Sequence, residues 1–524
     1  MCGFVFTKDI SVESEIFTRA VNNISHRGPD DMELVTLKSA LLGFTRLAIM
    51  DLSHAGDQPF EHSQRYYMCN GEIYNFQALK QKYPFDYKSQ SDCEVLISLF
   101  EAVGMPAMLE QLDGEYAFVI YDEKTKEVFA ARDPMGIRPL FYGYTKQGNI
   151  SFASEVKALQ EICHEVKAFP PGSYYQDGEI KTFLDLSQVK AYNTDSHEQI
   201  YKNINHYLTK AVQKRLHSDA KIGFLLSGGL DSSLVCAIAQ KYSDTPIKTF
   251  AVGMSGDAID LKYAKEVAEY IGSDHTEVII DKEDVLSSIR DVVYSLESFD
   301  ITTVRASVGM YLVCKYIKEN TDIKVVLTGE VSDEIFGYKY TDFAPSPEEF
   351  QKEAAKRVRE LYIYDVLRAD RCISAHSLEA RVPFSDTDFV QYVMSIDPAK
   401  KMNTYGQGKY ILRKAFEGDY LPESILYREK AAFSDAVGHS MVEYIKAYAE
   451  QIYSDKEVKE AKVKYPHVTP FTKESLLFRD LFEEFYPGKG QLIKDFWMPN
   501  KEWENCDVSD PSARVLPNYG ASGV

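Results

Sequence analysis

Between residues 221 and 330 apolar runs and helical stretches alternate, and this alternation constrains the fold more than any other feature of the chain. "KIGFLLSGG" leads into a helix from Asp231, then come "IKTFAVGM", the helix "DLKYAKEVAEYIG", the strand "HTEVII" and, further on, the strand "IKVVLTGE". Strand and helix at this spacing predict a parallel sheet covered by helices, an α/β domain. From Cys2 to about Gln188 the runs are shorter: "KSALLGFTRLAIMD", "RYYMCNGEIYN", "EYAFVIYDEKTKEVFAARD" and "NISFASE", with helices only before "SHRGPD" and at "SDCEVLISLFEAVG". Hairpins with few helices predict an α+β layered domain. The polar stretch "DLSQVKAYNTDSH" reads as a linker, which sets domains at 2–188 and 198–506. Helical, charge-rich segments dominate beyond Pro345, and 507–524 reads as a flexible tail.

The first domain opens "MCGFVF". A methionine before a small residue is normally trimmed, which would leave Cys2 with a thiol and a free α-amine on one residue. That amine titrates near pH ~8 and can take the thiol proton, as in terminal threonine nucleophiles. The bland alternative is a small buried hydrophobe. Charge narrows the partners: Lys+Arg 59 against Asp+Glu 79 gives a net charge of −20, which argues against a broad interface with nucleic acid or an anionic membrane, though not against a small phosphate-bearing ligand. The 8 cysteines are scattered without a CxxC pair, as expected of reduced thiols with no structural zinc. No run of ~18 apolar residues occurs, so no membrane span and a cytoplasmic location are expected.

At "LLSGGLDSS" an apolar strand runs into two glycines and then a helix start. Glycines let backbone approach a ligand, and amide N–H groups at a helix N-terminus form an anion nest. Ser227 and Ser232 add hydroxyls and Asp231 a carboxylate able to hold Mg²⁺, so the stretch reads as a phosphate cradle. Its spacing is not that of the Walker loop. A second strand end, "VVLTGEVSDEIFG", offers Gly329, Glu330, Asp333 and Glu334. Ligands of open parallel sheets sit at such carboxyl ends, so the two could grip one Mg²⁺-pyrophosphate.

In order, "MCG", "HRGPD", "TRLAIMD", "NGEIYN", "SDCEV", "RDPMGIRPL", "ASEVKAL", "LLSGGLDSS", "FAVGM", "SDEIFG", "EARVPF" and "REKAAFSD" resemble glutamine-hydrolysing asparagine synthetase of the B type over nearly the whole chain. The resemblance implies an αββα N-terminal-nucleophile glutaminase, an ATP-pyrophosphatase domain with added C-terminal helices, an ammonia tunnel between them and a homodimer. It implies that Cys2 attacks the glutamine amide, with the Asn70 side chain and Gly71 backbone as oxyanion hole. Arg46, Leu47 and Ile49 would join the glutamine site, Arg46 clamping the α-carboxylate, and Glu72 and Asp92 would receive the α-ammonium. For ATP it implies Leu225, Ser227, Gly228, Gly229, Asp231, Ser232, Val252, Thr328 and Gly329, with Asp231 and Asp333 on Mg²⁺. Lys430 would offset charge at the phosphorus and Glu330 would assist ammonia attack. Aspartate is placed on Thr302, Thr303 and Arg305.

Three positions depart from the family pattern: Val331 and Tyr338 replace glycines, and Ser385 replaces a leucine. A β-branched residue tolerates positive φ poorly, so a loop needing that geometry at 331 would have to take another course. Two other readings compete with asparagine formation: a related amidotransferase with a non-aspartate acceptor, and a synthetase-impaired regulatory homologue.

Overall fold

The computed structural model describes residues 1–256, 258–429 and 437–519. In the first domain, twelve strands form two six-stranded antiparallel sheets. In chain order they are β1 Gly3–Thr7, β2 Asp31–Thr36, β3 Leu41–Arg46, β4 Phe60–His62, β5 Arg65–Ile73, β6 Gly114–Asp122, β7 Val128–Arg132, β8 Phe141–Tyr144, β9 Ile150–Ala153, β10 Glu165–Ala168, β11 Ser173–Gln176 and β12 Glu179–Thr182. One sheet runs β10-β8-β9-β1-β3-β2, the other β12-β11-β7-β6-β5-β4. Period-two alternation decides the layering. Phe4 and Phe6 of "GFVFT" point inward with Phe44, Met68, Val119 and Tyr121, while Val5 points outward onto Val21 of helix Ser14–Asn22. Helix Val95–Val103 covers the outer face of the other sheet beside Tyr67 and Phe118, completing αββα.

The second domain is built on a five-stranded parallel sheet, β13 Lys221–Leu225, β14 Lys248–Met254, β15 Asp274–Ile280, β16 Ile323–Leu327 and β17 Glu379–Arg381, in the order β15-β14-β13-β16-β17. The order reverses between β13 and β16, and a crevice forms beyond their carboxyl ends. Helices Leu230–Lys241 and Ile259–Ile271 cover one face, and Ile301–Asn320 the other. The three-residue strand β17, from "EARVPF", was not anticipated; it pairs with β16 in the register Leu327↔Arg381.

Buried ion pairs join the domains. Arg381 meets Glu72 at 3.1 Å, Arg215 meets Glu115 at 2.8 Å, Arg27 meets Asp370 at 2.9 Å and Arg371 meets Glu155 at 2.7 Å. Such charges leave water only when well paired. The expected linker ends where the Ser196 hydroxyl accepts from Gln199 N–H, starting helix His197–Arg215. The expected tail is pinned through residue 519 instead of loose. Leu516 packs in a cluster with Tyr340 and Trp503, Asp510 pairs with Arg305 at 2.9 Å, and Asn518 donates to the Lys339 carbonyl at 2.7 Å. Among the described residues no helix is long and apolar enough to cross a membrane.

Candidate active sites

Cys2 immediately precedes β1, and its thiol donates to the Leu47 carbonyl at 3.7 Å. Burial pushes the thiol up to about 11. Met1 is fully buried in front of it; its ammonium lies 3.4 Å from the Leu378 carbonyl, and burial pushes that amine down to about 5. With Met1 in place the thiol is protonated at neutral pH and Cys2 carries no amine of its own.

Asn70 and Gly71 lie on β5, which packs against β1. The Asn70 amide is fully buried, and both its Nδ2 and Oδ1 lack a partner in the protein. Such orphaned groups cost about 1–3 kcal/mol each, so they mark a place prepared for a ligand. Gly71 is required by close approach: a Cβ there would stand 2.2 Å from the Glu115 carbonyl oxygen. Glu72 and Asp92 are buried beside it. Burial raises Glu72 well above the usual carboxylate range, although Arg381 opposes this; burial also raises Asp92, whose carboxylate accepts from Ile73 N–H at 2.6 Å. Leu47 and Ile49 are buried in the segment after β3. Arg46 is turned onto the loop that follows. It donates to the Ser53 carbonyl at 2.6 Å, to Asp57 at 2.5 Å and to the carbonyls of Asp51 and Met50, so it braces that loop.

The second site lies at the sheet's reversal point, in a cavity of about 540 Å³ lined by Leu225, Ser227, Gly229, Ser232, Val252, Thr328 and other residues. Gly329 allows the two strand ends to meet, since a Cβ there would be 2.7 Å from Ser232 N. Ser227 N–H donates to the Ser232 hydroxyl at 3.1 Å, folding the Gly228–Gly229 turn back on its own helix. The Thr328 hydroxyl is buried without a partner.

Asp231 and Asp333 converge, as the sequence led one to expect, through a residue that sequence reasoning missed. Lys409 Nζ lies 2.8 and 2.9 Å from the two Asp231 oxygens and 2.5 Å from Asp333, and also donates to the Ser332 hydroxyl at 2.9 Å. Glu330 accepts from Arg368 at 2.5 Å, another partner without a sequence signal. Lys430 lies outside the described residues.

Of the aspartate trio, Thr302 and Arg305 both line the cavity and Thr303 does not. Thr303 donates its hydroxyl to Asp300 at 2.7 Å, as part of that residue's cap on helix Ile301–Asn320, and Arg305 is held between Glu474 and Asp510. Thr302 lines the cavity with its hydroxyl unpartnered.

Val331 does not divert its loop. It adopts φ 82° at the start of helix Ser332–Phe336 and is 2% exposed, so the glycine-like turn is kept with a strained valine in it. Tyr338 is extended at φ −122° and lays its ring against Trp497. Ser385 is buried, its hydroxyl donating to the Val382 carbonyl at 2.6 Å.

The glutamine amidotransferase domain model matches residues 1–214, and the asparagine synthase model matches residues 203–349 and 341–509. A protein of Acanthamoeba polyphaga mimivirus named "Probable asparagine synthetase (glutamine-hydrolyzing)" is 42% identical over 99% of this chain and 100% of its own length. Proteins named asparagine synthetase (glutamine-hydrolyzing) from Cricetulus griseus and Homo sapiens are 40% and 39% identical, each over 99% of both chains.

Proposed function

The chain belongs to the glutamine-hydrolysing asparagine synthetases, and from that membership we propose that its two sites work in series to make asparagine from aspartate, ATP and the amide nitrogen of glutamine. In the first, the Cys2 thiolate attacks the glutamine side-chain carbon. The Asn70 amide and Gly71 N–H hold the oxyanion, each such donor typically supplying ~10²–10³ in rate. Ammonia leaves, and water then cleaves the thioester to glutamate. Removal of Met1 puts the base on Cys2 itself.

In the second site a β-carboxylate oxygen of aspartate attacks the α-phosphorus of ATP, expelling pyrophosphate. Ammonia then attacks the acyl carbon of β-aspartyl-AMP and AMP departs, with Glu330 placed to take up a proton. Ser227, Gly228, Gly229 and Ser232 would cradle the phosphates, Leu225 and Val252 would face the nucleoside, and Lys430 would meet the charge at phosphorus. Bound with ATP, Mg²⁺ neutralises charge on the bridging oxygens. Asp231 and Asp333 would hold it: they already share one cation, the Lys409 ammonium, and two carboxylates with phosphate oxygens are the donor set Mg²⁺ favours. That convergence is the observation carrying the synthetase half.

Ammonia transfer through the interior is supported by Glu72 contacting Arg381 on β17, which pairs with the strand leading to Glu330. A cytoplasmic homodimer completes the reading, from family likeness. Incubation with glutamine, aspartate, ATP and Mg²⁺ should yield asparagine, glutamate, AMP and pyrophosphate together. Glutamine hydrolysis without aspartate-dependent exchange of pyrophosphate into ATP would overturn it in favour of another acceptor or an impaired synthetase.

A further inference from the structure

The chemistry of the second site sets a demand that the sheet alone does not meet. A β-aspartyl adenylate reacts with water as well as with ammonia, and water is far more abundant, so the cavity must be shut against solvent while the acyl centre waits. One side of the cavity is closed by neither strand nor long helix. Pro511, Ser512, Ala513 and Asn518 line it there.

The segment from Asp510 to Asn518 contains one short 3-10 turn, Ala513–Val515, whose bonds from Val515 N–H to the Ser512 carbonyl and from Leu516 N–H to the Ala513 carbonyl tie the segment to itself. Side chains tie it to the rest of the protein. The Asp510 carboxylate accepts from Arg305 Nη1 and Nη2 at 2.9 and 3.1 Å and pairs with Lys446 of helix His439–Ile452 at 3.0 Å. Arg305 itself lines the cavity and is braced from behind by Glu474, so the first anchor sits on the cavity wall. In the middle Leu516 packs in the cluster of Tyr340, Phe350 and Trp503. At the far end Asn518 Nδ2 donates to the Lys339 carbonyl at 2.7 Å and to Asp342 at 3.0 Å, and the Asn518 carbonyl accepts from Lys339 Nζ at 3.3 Å. Lys339 also pairs with Glu429 at 3.2 Å, the residue before Lys430, so the segment and the approach to that lysine share an anchor.

The two sides of the segment differ as those of a barrier must. Ala513 is 1% exposed and its turn neighbour Val515 is 45% exposed, so cavity and solvent are separated by the thickness of this one stretch. Its terminal anchors are side-chain pairs that water reaches, Asp510 being 21% and Lys446 34% exposed, and such contacts open at less cost than a packed core.

We infer that the segment Asp510–Asn518 is the outer wall of the synthetase cavity and selects the nucleophile, holding water off the β-aspartyl adenylate so that ammonia from the interior reacts instead. The inference rests on the asparagine-forming reading and adds to it the residues that favour amide formation over hydrolysis. In the reaction the wall prevents, a water oxygen bonds to the acyl carbon, the bond from that carbon to the AMP phosphate oxygen breaks with its electron pair leaving on AMP, and aspartate is regenerated with a proton lost to solvent.

The test uses the full chain with saturating aspartate, ATP and Mg²⁺ but neither glutamine nor ammonia. Aspartate-dependent exchange of pyrophosphate into ATP reports formation of the adenylate, and AMP release reports its hydrolysis. Wild type should exchange readily and release AMP slowly. Asn518→Ala, which removes two anchoring hydrogen bonds, should raise the ratio of AMP release to exchange roughly 5-fold, and Asp510→Asn, which removes a charge answered by two cations, roughly 10-fold. With ammonia added, wild type should form AMP and asparagine in equal amounts, and both variants should form more AMP than asparagine. Glutamine hydrolysis in the other domain reports that each variant has folded. Slower exchange with an unchanged ratio would show the segment supporting the fold alone and overturn the wall. If Asp510→Asn does not fold, an unchanged ratio in Asn518→Ala and in Leu516→Ala overturns it equally. Wild-type protein without aspartate-dependent exchange would instead remove the asparagine-forming reading.

Discussion

Replacing Lys409 with Met removes an ammonium that Asp231 and Asp333 share. Their side chains are 9% and 27% exposed, so Asp231 cannot regain full hydration while Asp333 recovers part of it. Removing one partner of a buried pair costs about 3–5 kcal/mol, and the partial exposure of Asp333 points to the lower end, about 3 kcal/mol. Unfolding entropy of ~2.1 cal/mol/K per residue over the roughly 300 residues of the second domain converts this to a fall of about 5 °C in Tm. Because two carboxylates that have lost a shared ammonium suit a divalent cation better, 10 mM Mg²⁺ with an assumed Kd of about 1 mM should return about 1.4 kcal/mol, or roughly 2 °C. Wild-type protein, with Lys409 seated, should shift by less than about 1 °C under the same conditions without nucleotide. Differential scanning fluorimetry in chelator-treated buffer, with and without Mg²⁺, reads all four values. An unaltered Tm in Lys409→Met, or an equal Mg²⁺ shift in both proteins, would refute the shared-cation account.

Cys2→Ala should abolish glutamine hydrolysis yet keep synthesis from free ammonia; loss of both in a folded variant would show that the chemistries are not divided between the domains. Arg46→Lys should raise the glutamine KM, because a point charge cannot reproduce the fork that ties the Ser53 and Asp51 carbonyls and the Asp57 carboxylate, and free ammonia should restore product. Val331→Gly relieves about 1–3 kcal/mol of backbone strain but loses about 1.5–3 kcal/mol of side-chain burial, so Tm and pyrophosphate exchange should change little; a large gain in exchange would mean that valine distorts the cradle. Lys401 is 3% exposed, and burial lowers its ammonium to about 7. The unfolded chain therefore holds more protons between pH 7 and the ordinary lysine range, so stability should rise with pH across that window. Lys401→Met should be the more stable protein at pH 7, on the order of a few kcal/mol, and lose that advantage by pH ~10.5; urea midpoints that stay parallel from pH 7 to 10 would count against it.

Much of the architecture was legible because it is local. The strand and helix periods of "KIGFLLSGG" through "IKVVLTGE", the hairpins of the first domain and the cradle glycines are patterns within a few residues, and the structure keeps them at β13, β14, β15 and β16. The three residues of β17 carried too little periodicity to register, yet Arg381 from that strand supplies the cation that meets Glu72, two residues along β5 from Asn70. The tail looked loose because its composition is polar; it is ordered because Asp510 meets Arg305, 205 positions away.

The layers, the order of the motifs and the side chains available for each reaction follow from the chain's local pattern, since periodicity and turn chemistry suffice for those. Which cation answers which carboxylate was settled by long-range packing. It set Lys409 against Asp231 across 178 positions, gave Arg368 to Glu330 across 38, and joined Arg305 to Glu474 across 169. Charges of one sign are interchangeable along a sequence, and desolvation distinguishes them only once burial has fixed which ones must be paired.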